Sequence, residues 1–172
     1  MNAKAKLFGH PIHQMLIVFP LGLLATSVVF DIVYQVTRNS RWADIAYIMI
    51  ASGIIGGLVA AVFGLIDWLA IPQATRAKRI GALHGIGNVV VVALFAVSWL
   101  LRYRHPTTPG TASLILSIAG VAIALVTAWL GGELVDRLAV GVDDGAHVNA
   151  PSSLSGKPAS DVASRTGYGA RS

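Results

Sequence analysis

The sequence predicts an all-α integral membrane protein, a four-helix up-down-up-down bundle followed by a disordered C-terminal tail, and three observations lead there. Of its 172 residues, 55% are hydrophobic and 12% charged, with a mean hydropathy of +0.68, whereas about a quarter of the residues of a soluble domain are charged. Four apolar windows, Ile12 to Val36, Ile45 to Ile71, Ile80 to Leu101 and Ala112 to Val135, each reach the roughly 20 residues that a hydrocarbon core demands. These runs are continuous rather than alternating, and a spanning segment must satisfy its backbone internally, so they read as helices and not strands.

The first window follows Lys4 and Lys6 and resembles the start of a signal peptide. It is longer than the usual apolar stretch of about 7 to 15 residues, lacks a small-x-small exit, and runs on to Asp31 and Arg38, so it is expected to stay in the protein. Pro11 fits its first turn, where the missing N–H has no intrahelical partner anyway. The second window carries Gly53, Gly57 and Ala61 at four-residue spacing, and the fourth carries Gly120, Ala124, Ala128 and Gly132. Such stripes let helix backbones approach closely in lipid, and they also leave room for a flat cofactor. The connections Thr37 to Asp44, Pro72 to Arg79 and Arg102 to Thr111, the last with "HPTTPG" turn chemistry, are short, so neighbours pack antiparallel. Trp42, Trp68, Trp99 and Trp129 fall toward span ends on alternating sides, as headgroup-level anchors do.

Residues 1–142 thus form a transmembrane domain and residues 143–172 a polar tail. The tail, "DDGAHVNAPSSLSGKPASDVASRTGYGARS", is rich in Ser, Ala, Gly and Pro and too poor in large apolar residues to fold by burial. It is expected to be dispensable from Ala146 onward, with Tyr168 open to protease.

Lys4, Lys6, Arg76, Lys78, Arg79 and Arg137 flank one side, and Arg38, Arg41, Arg102 and Arg104 the other. By this bias both termini face the cytoplasm of a bacterial inner membrane. The formal net charge of +5 resides in these flanks. It points to anionic lipid headgroups rather than nucleic acid, since no basic stripe is interleaved with aromatics. With zero cysteines, disulfides, cysteine-ligated iron–sulfur clusters and c-type haem are excluded, and histidine is the remaining cofactor ligand.

The histidines concentrate at one end. His10 and His13 enter the first span there, Asp67 leaves the second, His84 and Asn88 begin the third, and Glu133 and Asp136 close the fourth. Ionisable groups within a membrane are costly and mark either a functional site or an internal pair. The i,i+3 spacing of His10 and His13, and the i,i+4 spacing of His84 and Asn88, put each pair on one helix face. Two ligand sets fit: a b-type haem held between His13 and His84, with His10 and Asn88 supporting, or a divalent metal ion held by His10, His13, Asp67 and His84. With no cofactor, the same groups would cap helix ends and hydrogen-bond one another.

Four motifs, "GHPIHQMLIVFPLGL", "GLIDWL", "KRIGALHGIGN" and "WLGGELV" followed by "VGV", make the chain resemble, over Lys6 to Val142, the bacterial four-helix membrane family known as domain of unknown function 2231. The resemblance marks His10, Pro11, His13, Asp67, His84, Asn88, Gly131, Gly132 and Gly141 as characteristic positions. Gln14 stands where a second proline often follows the second histidine, and "DRLA" where an aromatic or histidine-bearing stretch is common. Through relatives that carry Rieske-type iron–sulfur domains, the resemblance implies membrane redox chemistry and a redox partner protein.

Three functions remain open: an electron-transfer protein binding haem b, a metal-binding or transport protein, and a structural or accessory membrane subunit. Transport is the weaker of the first two, because there are no unwound-helix signals, paired repeats or acidic residues at mid-membrane. No Ser-His-Asp order, phosphate loop or H-E-x-x-H signature points to a specific enzyme class.

Overall fold

A computed structural model describes residues 1–162, and the expectation for Tyr168 lies outside the described residues. Four helical segments, Ile12–Thr37, Ser40–Leu69, Arg76–Arg102 and Thr111–Arg137, are each long and apolar enough to cross a membrane.

The first segment consists of a short α1 (Ile12–Leu16) and a long α2 (Val18–Thr37) that meet at Ile17. Pro20 explains the break: it has no N–H for the Leu16 carbonyl four residues back, and its ring crowds that turn. The second helix, α3 (Ser40–Leu69), begins earlier than hydropathy alone indicates, because the Asn39 side chain caps it by accepting from the Arg41 amide. Arg38, at φ 55°, turns the chain, so α2 and α3 join through two residues. Similarly, α4 (Arg76–Arg102) starts four residues ahead of Ile80, since the Thr75 hydroxyl accepts from the Lys78 amide. The last helix, α5 (Thr111–Gly132), widens into a π-helical turn at Glu133–Arg137.

Two antiparallel hairpins result, α2 with α3 and α4 with α5, each packed more extensively within itself than against the other. The small-residue stripes do the packing. A Cβ on Gly53 would lie 2.6 Å from the Leu24 side chain, and one on Gly120 would lie 2.7 Å from the Phe95 ring. Leu24, Val28, Ile50, Val91 and Phe95 form the central cluster over which the hairpins close. Large apolar side chains elsewhere, among them Val29, Ile32, Ile55, Leu58, Ile86 and Leu125, face outward, as helices solvated by lipid tails require.

Arg102 is not a headgroup-facing flank. It is wholly buried, and its guanidinium meets the Asp31 carboxylate through Nη1 at 2.7 Å and Nη2 at 2.8 Å. Nη2 also donates to Ser117 Oγ at 3.1 Å, and Ser117 is bonded to Ser98 in turn. The pairing has a physical cause, since a carboxylate six residues inside α2 is tolerable only beside a cation that matches its two oxygens.

At the opposite end the segment before α1 folds over the bundle. Lys6–Leu7 and His10–Pro11 pair as a two-residue hairpin ladder. The Lys4 and Ala5 amides both donate to Asp67 Oδ1, at 2.7 and 3.1 Å. Gly141 N donates to the Met1 carbonyl, which ties this segment to the end of the fourth span. Of the tail, Asp143 pairs with Lys6, and a 3-10 turn at Ser153–Ser155 rests on the hairpin through the bond from Ser153 Oγ to the Phe8 carbonyl.

Candidate functional site

Two of the sequence-selected histidines meet inside the bundle. His13 comes from α1 and His84 from α4, with ring centroids 6.3 Å apart and ring planes at 84°. Each is fixed by one backbone bond. His13 Nδ1 lies 2.8 Å from the Ala60 carbonyl of α3, and His84 Nδ1 lies 2.8 Å from the Thr127 carbonyl of α5. A carbonyl only accepts, so Nδ1 carries the proton in both rings and Nε2 keeps its lone pair in the neutral tautomer.

Two glycines make these positions possible. A Cβ on Gly64 would come within 2.8 Å of the His13 ring, and one on Gly131 within 3.2 Å of His84 Cε1. Gly64 lies one turn after Ala60 and Gly131 one turn after Thr127, so on each helix the residue that accepts from a histidine precedes the one that makes room for its ring.

Asn88 completes the group. Its Nδ2 lies 3.2 Å from His84 Nε2 and donates to the His84 carbonyl at 2.9 Å, while its Oδ1 accepts from the Thr127 hydroxyl at 3.0 Å. Among the described residues, the one ring nitrogen of His13 in a hydrogen bond is Nδ1.

Depth follows from the helical rise. Ala60 is nine residues from the end of α3 and His84 eight from the start of α4, which at about 1.5 Å per residue sets the pair about 12 to 14 Å inside the helix ends. The 30 residues of α3 span about 45 Å, some 15 Å more than a hydrocarbon core of about 30 Å; shared evenly between the two ends, that excess sets the pair about 5 Å inside the hydrocarbon boundary.

The other two candidate ligands are elsewhere. His10 is exposed in the hairpin ladder rather than in the first helix, its Nε2 3.4 Å from Ser153 Oγ. Asp67 is engaged by the two backbone amides of the N-terminal segment. The bare-metal set of His10, His13, Asp67 and His84 is therefore not assembled, and among the described residues no group of three or more His, Cys, Asp or Glu is placed to hold a metal ion. The reason is local. Pro11 caps α1 rather than lying within it, so His10 and His13 do not share a helix face, and the Asp67 carboxylate is used as a cap for chain outside the bundle.

Two imidazoles are too few for a bare divalent ion, which takes four or more ligands, but they are the full protein complement of a six-coordinate haem iron. The 6.3 Å separation and 84° angle of His13 and His84 are those of an edge-to-face ring contact. For His84 to use its lone pair, the Asn88 amide must swing off Nε2, a side-chain rotation that leaves the Thr127 anchor of the ring in place. Thr127 and Ala60 escape a reading by residue type because they act through backbone carbonyls; Gly131 stood in the "WLGGELV" motif, but nothing local linked it to a histidine on another helix.

Fold and site together define a multi-pass membrane protein of four spanning helices with an intramembrane histidine pair near one end. The chain belongs to the family described as predicted membrane protein (DUF2231), whose model matches residues 9–144. No curated protein and no solved structure matched the chain.

Proposed function

We propose that this protein is a membrane electron-transfer component that binds one b-type haem through His13 and His84. The observation that carries the reading is the paired arrangement itself: two imidazoles from different helices, each with Nδ1–H fixed on a backbone carbonyl, with Nε2 of His13 free of a hydrogen bond among the described residues and Nε2 of His84 accepting from Asn88. Metal-ligating histidines are held in this manner by a carbonyl or carboxylate on the far nitrogen, which sets the tautomer and the ring orientation. Haem, when bound, would supply one-electron chemistry; His13 and His84 would hold its iron, and the surrounding helices would give a low-dielectric environment and exclude water. His10 and Asp67 have no part in this site.

The charge bias at the span ends orients the histidine-bearing end toward the cytoplasm of a bacterial inner membrane, with both termini on that side. A redox partner protein would then exchange electrons from the cytoplasmic face.

The test is spectroscopic. Full-length protein from cells supplied with haem precursor, purified in mild detergent, is expected to show a Soret band and a reduced α-band at roughly one haem per chain. His13→Ala and His84→Ala should each abolish or strongly weaken binding, while His10→Ala and Asp67→Ala retain it. Colourless protein, or haem kept in both histidine variants, overturns the reading and leaves the pair as a packing contact.

A further inference from the structure

The N-terminal hairpin holds an aromatic side chain out of the protein at a backbone position that disfavours it. With Lys6 opposite Pro11 and Leu7 opposite His10, the loop consists of Phe8 and Gly9 alone. Their φ angles, 50° and 84°, are both positive, which makes a type I′ turn. Asn, Asp and Gly suit the first of those positions, and a bulky side chain is strained there. Phe8 nevertheless occupies it, 74% exposed, beside Leu7 at 48%.

The tail adds to the same spot. Ser153 Oγ donates to the Phe8 carbonyl at 3.0 Å, and a Cβ on Gly9 would lie 2.7 Å from Ser153 Cβ. The 3-10 turn therefore lies against the hairpin turn, and its middle residue, Leu154, is 75% exposed. Nothing in the fold of the bundle requires either side chain to project.

We infer that Phe8, Leu7 and Leu154 form an apolar foot that inserts into the bilayer interface next to the first span. Two observations select lipid as the occupant. Pro11 caps α1 directly, so Phe8 lies only four residues ahead of Ile12, within about 14 Å of the span even in extended chain, and the foot adjoins a surface that is already lipid-facing. Lys4, Arg79 and Arg137 are exposed at this end, a cationic surround that favours anionic headgroups. An aromatic ring with basic neighbours at the hydrocarbon boundary is the composition of an interfacial anchor.

The chain has no cysteine, so single cysteines can be introduced into the full-length protein without removing any. Phe8→Cys, Leu154→Cys and Val148→Cys, the last at a fully exposed position, are each spin-labelled and reconstituted in vesicles of phosphatidylcholine and phosphatidylglycerol at three to one. Labels at Phe8 and Leu154 should collide several-fold more with oxygen than with a water-soluble nickel chelate, relative to the Val148 label. In a Phe8→Asn background, where the turn gains a residue suited to it, the Leu154 label should shift toward the nickel chelate. A Phe8 label as accessible to nickel as that at Val148 overturns the inference. So does spin–spin broadening that vanishes on dilution with unlabelled protein, which would make the occupant a second copy of this chain.

Discussion

Arg102 and Asp31 form an end-on, two-bond ion pair closed off from the surroundings, with Arg102 0% and Asp31 3% exposed. It links the last residue of α4 to α2 and, through Ser117, to α5, so three of the four spans share one polar node. Breaking a buried pair leaves an unmatched charge and costs about 3 to 5 kcal/mol, more than the pair contributes over an apolar replacement. Asp31→Ala or Arg102→Ala is expected to lower the denaturation midpoint in detergent sharply. Asp31→Leu combined with Arg102→Met should recover much of the loss, and a double variant as unstable as the singles would refute this account.

Glycines on the spans should separate by what surrounds them. Gly53→Ala and Gly120→Ala force a methyl onto Leu24 and Phe95 at 2.6 and 2.7 Å, and such overpacking costs about 1 to 3 kcal/mol. Gly22→Ala and Gly85→Ala meet nothing within 4 Å, and should be neutral or stabilising by up to about 1 kcal/mol through helix propensity. Thermal unfolding of the four variants in one detergent measures the split.

Asp67→Ala removes the acceptor shared by the Lys4 and Ala5 amides, a loss of about 1 to 2 kcal/mol to the N-terminal segment. Hydrogen exchange at Lys4 and Ala5 should accelerate while exchange in α4 stays unchanged. Equal acceleration throughout the bundle would show that Asp67 supports the whole fold.

The bundle was legible in the sequence because hydrocarbon imposes length and apolarity on every span, and four windows met that demand. Span ends were less so: Asn39 and Thr75 cap helices several residues beyond the apolar runs, and hydropathy does not register a cap. The pairing of His13 with His84, and the hydrogen bond of Asn88 to His84, could be anticipated from their common end and spacing. Grouping Asp67 and His10 with them failed, because sharing an end of a bundle does not say whether a side chain points inward or caps a loop. Arg102 was misread for a similar reason, since a cation at a helix end is usually solvated and its partner lies 71 positions away.

Reporter fusions after Lys157 and within Pro106 to Gly110 should give opposite compartments, the first cytoplasmic, because four spans return the chain to its starting side. An external signal after Lys157 would turn the histidine end outward.

The two glycines behind the histidines should rank in a set order. Alanine at Gly64 brings a methyl to 2.8 Å from the His13 ring, closer than side chains tolerate, and that ring is fixed by its bond to the Ala60 carbonyl. The ring has to leave the carbonyl, which frees its tautomer and orientation. Alanine at Gly131 comes to 3.2 Å from His84 Cε1, which a shift of a few tenths of an ångström relieves. Losing the group that orients a ligating histidine typically costs about 10- to 100-fold in affinity. Gly64→Ala is therefore expected to weaken haem retention by that order, Gly131→Ala less, and Gly85→Ala not at all, as read from the Soret absorbance per chain after detergent exchange. Equal retention in Gly64→Ala and Gly85→Ala would show that His13 needs no fixed orientation, and would remove the main geometric support for its role as a ligand.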